Sequence, residues 1–242
     1  MVGECYRRVL VRREDIDLVR TLPLLNGISD DNLVELLQGA FLQRFPVHVV
    51  LIREGEPADF LHVIVDGQVE LFANYRDRES TIMVLSPPSC FILAAVMLDR
   101  PYLKSARVLS PSRILMIPVE TVRSMFAQDQ NFARAIAHEL SFAFRGLVKE
   151  LKNQKLRSTL ERLAAWLVRF NSENGADNQI LLPFDKRVLA SRLGMVPEVL
   201  SRTFVNLKEY GVKVDGPRIV INDLPALQKL ASPNDLIDDP KS

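Results

Sequence analysis

Cysteine is nearly missing from this chain, with two residues in 242, Cys5 and Cys90. Two thiols make neither a disulfide framework nor a four-thiolate cluster, and the economical expectation is a reducing cytoplasm. Histidine is also scarce: three copies stand at 48, 62 and 138, with no His-x-His pair. An enzyme built on clustered imidazole and carboxylate metal ligands is therefore not expected. No phosphate-cradling glycine loop and no nucleophile elbow occurs. Long apolar runs are absent too. The stretch 91–98 is uncharged, but it falls far short of the ~20 residues that cross a bilayer. The opening MVGECYRRVLVRREDID mixes charges and has no apolar centre, so no secretory leader is expected there.

What is present is ordinary globular material, 48% hydrophobic and 25% charged, enough for one large domain or two smaller ones. The net charge of +1 hides an asymmetry. Residues 145–221 hold 14 Lys/Arg against 8 Asp/Glu, and the remainder holds 17 against 22. A basic carboxyl-terminal portion on an acidic body suits a nucleic-acid-binding module, although a solvated helix face can be equally basic.

Periodicity divides the chain. Ser29-Asp30-Asp31 followed by Leu33, Leu36 and Leu37 predicts a first helix capped by the serine. From Val47 to about Pro118 the period becomes two. PVHVVLI, FLHVIVDG, VELFANY, TIMVLS, YLKSARVL and SRILMI read as short strands, punctuated at Gly55, Asp66-Gly67 and Pro87-Pro88. Such a series predicts a β-roll closed on its own core. The helical period then returns. Ala133, Ile136, Leu140, Ala143 and Leu147 recur at three- and four-residue steps, the spacing of a coiled-coil seam, and point to a homodimer. The alternative is a helix packed on its own β-domain through Phe132, Phe142 and Phe144. Lys152-Asn153-Gln154-Lys155 reads as a hinge, LERLAAWLVRF as an amphipathic helix, NSENGADNQ as a loop and SPNDLIDDPKS as a frayed tail.

The most informative segment is FDKRVLASRLGMVPEVLSRTFVNLKEYG, residues 184–211. Asp185 suits an N-cap, Val188, Leu189 and Leu193 face inward, and Gly194 supplies a tight turn. Pro197 fits the first position of a second helix. Along that helix Leu200, Phe204 and Leu207 share one face, and Glu198, Ser201, Arg202 and Val205 share another. One buried stripe beside one polar stripe is what a helix reading the major groove needs. Val212–Val214 and Ile219–Ile221 then flank Asp215-Gly216, a hairpin signal. A helix-turn-helix with a following hairpin is a winged helix. Helical hairpins around a glycine also occur without DNA, but the basic balance, the exposed Glu-x-x-Ser-Arg and the wing favour double-stranded DNA as partner.

These residues resemble the CRP/FNR family of bacterial transcription regulators over nearly the whole chain. REGEPADFLHVIVDGQVELF is similar to the family's Gly-Glu-x(10)-Gly β-roll signature through Gly55, Glu56 and Gly67, and LASRLGMVPEVLSRTFVNL is similar to its DNA-reading helix pair. The resemblance implies an α+β chain with an N-terminal cyclic-nucleotide-binding-like β-roll, a long dimerisation helix and a C-terminal winged helix-turn-helix. The corresponding boundaries are 1–128, 129–153 for helix and hinge, 154–232, and a 233–242 tail. It also implies that Glu198, Ser201 and Arg202 read bases, flanked by Pro197 and Val205, and that Ile136, Leu140, Ala143 and Leu147 form the dimer interface. Serine before the arginine resembles the FNR branch, whose target is a TTGAT-like inverted repeat. RNA polymerase is the further partner implied. Arginine donates twice to guanine, glutamate accepts from cytosine, and serine can contact a neighbouring edge. Val196 departs from the pattern, since it cannot cap the reading helix by side chain.

The resemblance places an effector slot at FILAAVMLDRPYLKSA, 91–106. In cyclic-nucleotide-binding relatives a Gly-Glu pair holds the ribose and an Arg-Ser pair the cyclic phosphate. Here those positions are Leu93, Ala94, Lys104 and Ser105. No carboxylate remains for the ribose, and lysine offers a point charge instead of a fork. A ribose left unsatisfied in an apolar site costs ~1–3 kcal/mol per buried group, so cyclic AMP is not the expected effector. An iron–sulfur cluster needs four thiolates and is not expected either. An apolar ligand, haem with a diatomic gas, or side chains alone remain open. PYLKSA resembles the nitric-oxide-responsive regulators of denitrification, and the candidate haem donors are His48, His62, Met83, Met97 and Cys90. Each also reads as an ordinary surface or core residue. A β-roll that binds ligand without reading DNA is the rival that leaves the winged helix without a role.

Overall fold

Alternating apolar and polar residues give extended chain wherever one face is buried, and between Phe41 and Pro118 that pattern builds an antiparallel sheet. The computed structural model describes Val11, residues 13–76 and residues 78–239, which leaves Cys5 outside the described residues. The chain divides into two units, one ending at Phe142 and the other starting at Ala143.

The first unit opens with α1 (Arg13–Arg20), which sequence reading missed, a single turn at Pro23–Leu25, and α2 (Asp30–Leu36). Ser29 caps α2 as expected, accepting from the Asn32 N–H. The sheet follows as β1 (Phe41–Phe45), β2 (Val50–Ile52), β3 (Phe60–Tyr75), β4 (Arg78–Leu85), β5 (Ser89–Phe91) and, after α3 (Leu93–Leu98), β6 (Ser105–Pro118). The long β3 and β6 pair from Phe60 opposite Pro118 to Phe72 opposite Ser105 and form a spine. β1 and β2 add to β6, while β4 and β5 add to β3.

Two expected strand pairs are therefore each one strand. Asp66-Gly67, expected as a turn, is instead a register shift inside the β3–β6 ladder. Gly67 has φ +92°, and a Cβ there would stand 2.2 Å from Ser112 Oγ and 2.6 Å from the Pro111 carbonyl oxygen. The glycine serves a close approach of two backbones rather than a reversal.

Helix α4 (Val119–Gln128) leads into α5 (Gln130–Leu156). Asp129 joins them, accepting from the Phe132 N–H at 2.8 Å and the Asn32 amide at 2.6 Å. The core gathers Leu61, Ile64, Leu71, Ile114, Leu115 and Ile117 from the sheet, Leu33 and Leu36 from α2, Met125 from α4, and Phe132 and Ile136 from α5. Ile136, expected on a seam toward a second copy, is 1% exposed and belongs to its own domain's core. A stripe at helical spacing also serves a core, and here Phe132 and Ile136 lie in the first unit's core with Leu140 packed against it. Ala143 and Leu147 are exposed, as are Phe142 and Phe144, so the self-packing alternative holds for Phe132 alone of its three phenylalanines.

Residues 152–155, expected as a hinge, continue α5. The break comes at Arg157-Ser158, where Ser158 and Glu161 form a reciprocal capping box that starts α6 (Thr159–Glu173). Polar residues alone do not interrupt a helix; a competing cap does. Beyond it lie β7 (Gln179–Leu181), α7 (Lys186–Arg192), α8 (Pro197–Asn206), β8 (Val212–Asp215), β9 (Arg218–Ile221), α9 (Leu224–Ala231) and α10 (Asp235–Asp238). β9 pairs with β7 and β8. Leu163, Leu167, Leu189, Leu200, Leu207, Val212, Ile219 and Leu227 fill this second core.

The tail is not frayed through Asp239. Arg157 holds the Asp238 carboxylate with two bonds of 2.7 and 2.6 Å, and Lys149 donates to the Asp239 carbonyl at 2.6 Å. A short acidic segment finds a fixed place because Lys149 and Lys152 of α5, and Arg157 just beyond it, donate to it.

Candidate nucleic-acid interface and effector slot

Helix α7 begins after Asp185, which has the extended backbone of an N-cap but makes no side-chain capping bond. The helix closes at Leu193, and Gly194 turns with φ +66° while the Met195 N–H bonds back to the Ala190 carbonyl at 2.9 Å. Helix α8 starts at Pro197, with Val196 extended at φ −85°, ψ 156° and offering no side-chain cap. Leu200, Thr203 and Phe204 are buried beneath α8, and Leu207 is buried just beyond it. Pro197, Glu198, Ser201, Arg202 and Val205 are exposed. The five expected contact residues thus share the open side of one helix. Ser201 donates its hydroxyl proton to the Pro197 carbonyl at 3.0 Å, which leaves its oxygen free to accept. The wing forms as expected, with Asp215 opposite Arg218 across Gly216, whose φ is +54°.

Sequence reading missed Arg162, the residue that holds this turn in place. It is 9% exposed and donates Nε to the Leu193 carbonyl at 2.9 Å, and Nη1 to the Arg157 and Gln154 carbonyls at 2.8 and 3.3 Å. The available signal was a charge inside the LERLAAW pattern at a core-facing step.

The slot segment behaves differently. Leu93–Leu98 is helical, entered through Ile92 at φ +63° and left through Asp99 at φ +53°. Leu93 and Val96 are buried in the domain core, whereas Ala94 is exposed. Arg123 fixes the helix end, donating to the Val96 carbonyl and the Asp99 carboxylate, each at 2.7 Å. Ser105 is 4% exposed and accepts from the Glu54 N–H at 3.0 Å, tying β6 to the REGEPAD loop. Tyr102 bonds that loop through both backbone groups, to Gly55 and Glu56. Lys104 is partly buried, and burial lowers its pKa. Lys104 and Ser105 are adjacent, and it is the Ser105 side chain that hydrogen-bonds into the roll.

Beside the slot strands lies a network that sequence reading also missed. Glu70, 2% exposed, accepts from Thr81 Oγ1 at 2.5 Å and from Arg107 Nη2 at 2.7 Å. Arg107 continues to Glu79 at 2.8 Å and lies over the Phe72 ring at 4.4 Å. Strand register brings Glu70 opposite Arg107, a pairing that alternation alone does not reveal.

Of the candidate haem donors, His48 is exposed, and Met83 and Met97 are partly buried. His62 is 2% exposed, with Nδ1 at 3.1 Å from the Phe60 carbonyl, its ring stacked on Phe91 and no partner at Nε2 among the described residues. Burial lowers its pKa to about 4. The Cys90 thiol donates to Glu139 at 3.7 Å, and burial with that carboxylate pushes its pKa up to about 12. Among the described residues no three His, Cys, Asp or Glu side chains gather as a metal site, and no helix is long and apolar enough to cross a membrane.

A β-roll with a helix-turn-helix module whose second helix presents a polar stripe defines a two-domain DNA-binding regulator. Residues 42–129 match the cyclic nucleotide-binding domain, and residues 161–230 match the Crp-like helix-turn-helix domain. The CRP-like cAMP-activated global transcriptional regulator of Mycobacterium tuberculosis is 21% identical over 214 residues, covering 86% of this chain and 96% of that protein. FixK2 from Bradyrhizobium japonicum superposes with a TM-score of 0.70 at 18% identity, over 81% of this chain and 98% of its own. A CooA variant from Carboxydothermus hydrogenoformans gives 0.69 at 16%, over 88% and 95%. The chain belongs to the CRP/FNR family of transcription regulators.

Proposed function

We propose that this regulator is a homodimer that reads a TTGAT-like inverted repeat, with a sensor domain that takes neither cyclic AMP nor an iron–sulfur cluster. The observation that carries the DNA reading is α8 itself. Leu200, Thr203 and Phe204 hold it from beneath, and Glu198, Ser201 and Arg202 stand free above. Arg202 is the guanine reader, Glu198 accepts from cytosine, Ser201 accepts from a neighbouring edge, and Pro197 and Val205 border the contact. Dimerisation uses Ala143 and Leu147 with the exposed Val148 and Leu151 of the same helix, bordered by Leu140. RNA polymerase is the expected partner at the promoter, and the cytoplasm the expected compartment.

The mycobacterial relative is described as cAMP-activated. In this chain the ribose-holding pair is Leu93, packed in the core, and Ala94, which has no polar atom in its side chain. A cyclic nucleotide would find no side-chain acceptor for its 2′-hydroxyl at either position. The test is a gel shift with a TTGAT-like inverted repeat and a scrambled duplex over a salt series, with and without cyclic AMP. Specific retention that ignores cyclic AMP is expected. Equal retention of both duplexes, or specificity that appears only with cyclic AMP, overturns the corresponding half of the reading.

His62 Nε2 favours one second reading, in which the roll holds haem through this imidazole. Reconstitution with haem followed by a visible spectrum decides it. A Soret band lost in His62→Ala supports haem, and no band removes it.

A further inference from the structure

Segment 233–239 is held in place although it buries almost nothing. The last residue in the second unit's core is Ala231 of α9. Helix α10, just beyond, has no buried residue, and its Leu236 side chain is 63% exposed. Apolar burial therefore does not seat this segment, and its removal leaves the core intact.

What seats it is the joint between α5 and α6. Lys149 donates to the Asp239 carbonyl at 2.6 Å, and Lys152 to the Leu236 carbonyl at 3.2 Å. Arg157 donates to both Asp238 carboxylate oxygens, at 2.7 and 2.6 Å, and to the Ser232 carbonyl at 3.3 Å. The Asp238 carboxylate also accepts from the Asn234 N–H at 2.8 Å, so the acceptor is itself fixed. Exposed, single-bonded ion pairs contribute little to stability. This one is different, because its side chains are 8% and 20% exposed and the bonding is bidentate.

The same arginine reaches the DNA-reading helices through its main chain. Arg162 donates Nη1 to the Arg157 and Gln154 carbonyls and Nε to the Leu193 carbonyl. Gln154 lies in the last turn of α5, whose carbonyls lack helical donors. Leu193 closes α7 just before the Gly194 turn. One line of bonds thus runs from Asp238 through Arg157 and Arg162 to the turn that precedes α8. The angle at which α6 leaves α5 is decided at Arg157-Ser158, between Leu156 and Thr159, and the line of bonds is anchored there.

We propose that segment 233–239 is a positioning strap: by engaging Arg157 through Asp238, it fixes the angle between α5 and the helix-turn-helix. In the dimer that angle sets the spacing between the two reading helices. The DNA part of this inference rests on the homodimer and inverted repeat proposed above. A two-fold target demands a set distance between half-sites, so an error in the angle costs affinity at the second half-site and not at the first. Asp238 and Arg157 are positioning residues, since neither lies on the exposed face of α8.

The test compares wild type with a chain ending at Ser232, with Asp238→Asn and Arg157→Gln, and with the double variant. Amide hydrogen exchange is read at Arg157 and Ser158, and binding is measured to the full inverted repeat and to a single half-site at one low salt concentration. Loss of the strap should speed exchange at the joint and leave the amides of Leu163 and Leu167 at the wild-type rate. The Kd for the inverted repeat should rise about fivefold to tenfold as fewer dimers hold the matching arrangement. The Kd for the half-site should not change. Removing a carboxylate by itself favours DNA binding, so the loss expected in Asp238→Asn and in the shortened chain has the sign opposite to a charge effect. The double variant should lose no more than Arg157→Gln alone, and Asp238→Glu should recover most of the binding. Unchanged exchange at the joint overturns the strap. Equal losses on repeat and half-site, or additive losses in the double variant, do so as well. A wild type that fails to prefer the repeat over a scrambled duplex sinks the target reading instead, and exchange at the joint still decides the strap.

Discussion

Helices α3 and α8 occupy the two segments through which relatives meet effector and DNA, and they are built in opposite ways. Helix α8 buries Leu200, Thr203 and Phe204 and leaves Glu198, Ser201, Arg202 and Val205 in solvent, so its outer face carries little of the folding free energy. Helix α3 has six residues, and Leu93, which holds half of the relatives' ribose-binding pair, lies in the core instead. In one segment the residues proposed for recognition are not those used for packing; in the other, packing has taken a position that the resemblance gives to recognition. Substitutions in α3 should therefore register as stability and substitutions in α8 as specificity.

The largest effect tests the packing side. Leu93→Ala removes a side chain that is 5% exposed, and should lower unfolding free energy by about 2–5 kcal/mol. Chemical denaturation measures the loss, and the fraction that remains folded should keep its preference for the inverted repeat. A Leu93→Ala protein of unchanged stability would mean that the slot is open rather than packed.

A second way to sharpen the contrast is acid. His62 is buried in the same roll with its pKa lowered from 6.5 to about 4. The unfolded chain takes up the proton first, so the stability this neutral imidazole contributes is present above pH 6.5 and is lost as pH falls from there toward 4. The full window corresponds to about 3 kcal/mol. His62→Phe should flatten the stability profile over that range, while an equivalent profile for Arg202→Ala should match wild type.

Arg202→Ala supplies the converse. Its stability should stay within about 0.5 kcal/mol of wild type, as for an exposed residue without tertiary partners. Its discrimination between the inverted repeat and a scrambled duplex should fall by about 1–3 kcal/mol. Competition binding at fixed salt measures this. Loss of affinity for both duplexes equally would reassign Arg202 from base reading to phosphate contact.

Legibility in the sequence followed the same divide. The helix-turn-helix was readable because its signals are local: Gly194, Pro197 and the two stripes of α8 lie within a few residues of one another. The wing was readable from Asp215-Gly216 for the same reason. What stayed hidden depends on partners far along the chain. Gly67 reads as a turn until Ser112 and Pro111 are placed against it. Ile136 reads as a seam toward a second copy, because a helix face does not announce which surface it meets. Arg162 and the Glu70–Arg107 pair need strand and helix registry before their burial makes sense. The SPNDLIDDPKS tail reads as disordered until Arg157 stands opposite Asp238.

The smallest expected effect concerns the start of α8. Val196 holds the extended backbone of an N-cap, φ −85° and ψ 156°, is 57% exposed, and gives no side-chain acceptor to the first turn. Serine adopts that backbone without strain, and its hydroxyl would accept from an N–H of the first turn, which the valine side chain cannot do. Val196→Ser should therefore stabilise the second unit by about 0.5–1 kcal/mol, measured by thermal or chemical unfolding. The substitution removes exposed methyl groups and touches none of Leu200, Phe204 or Leu207, so no cavity offsets the gain. If base reading belongs only to Glu198, Ser201 and Arg202, the preferred sequence stays the same and affinity changes little. A shift in preferred sequence would show instead that the loose first turn is part of how this helix fits its groove.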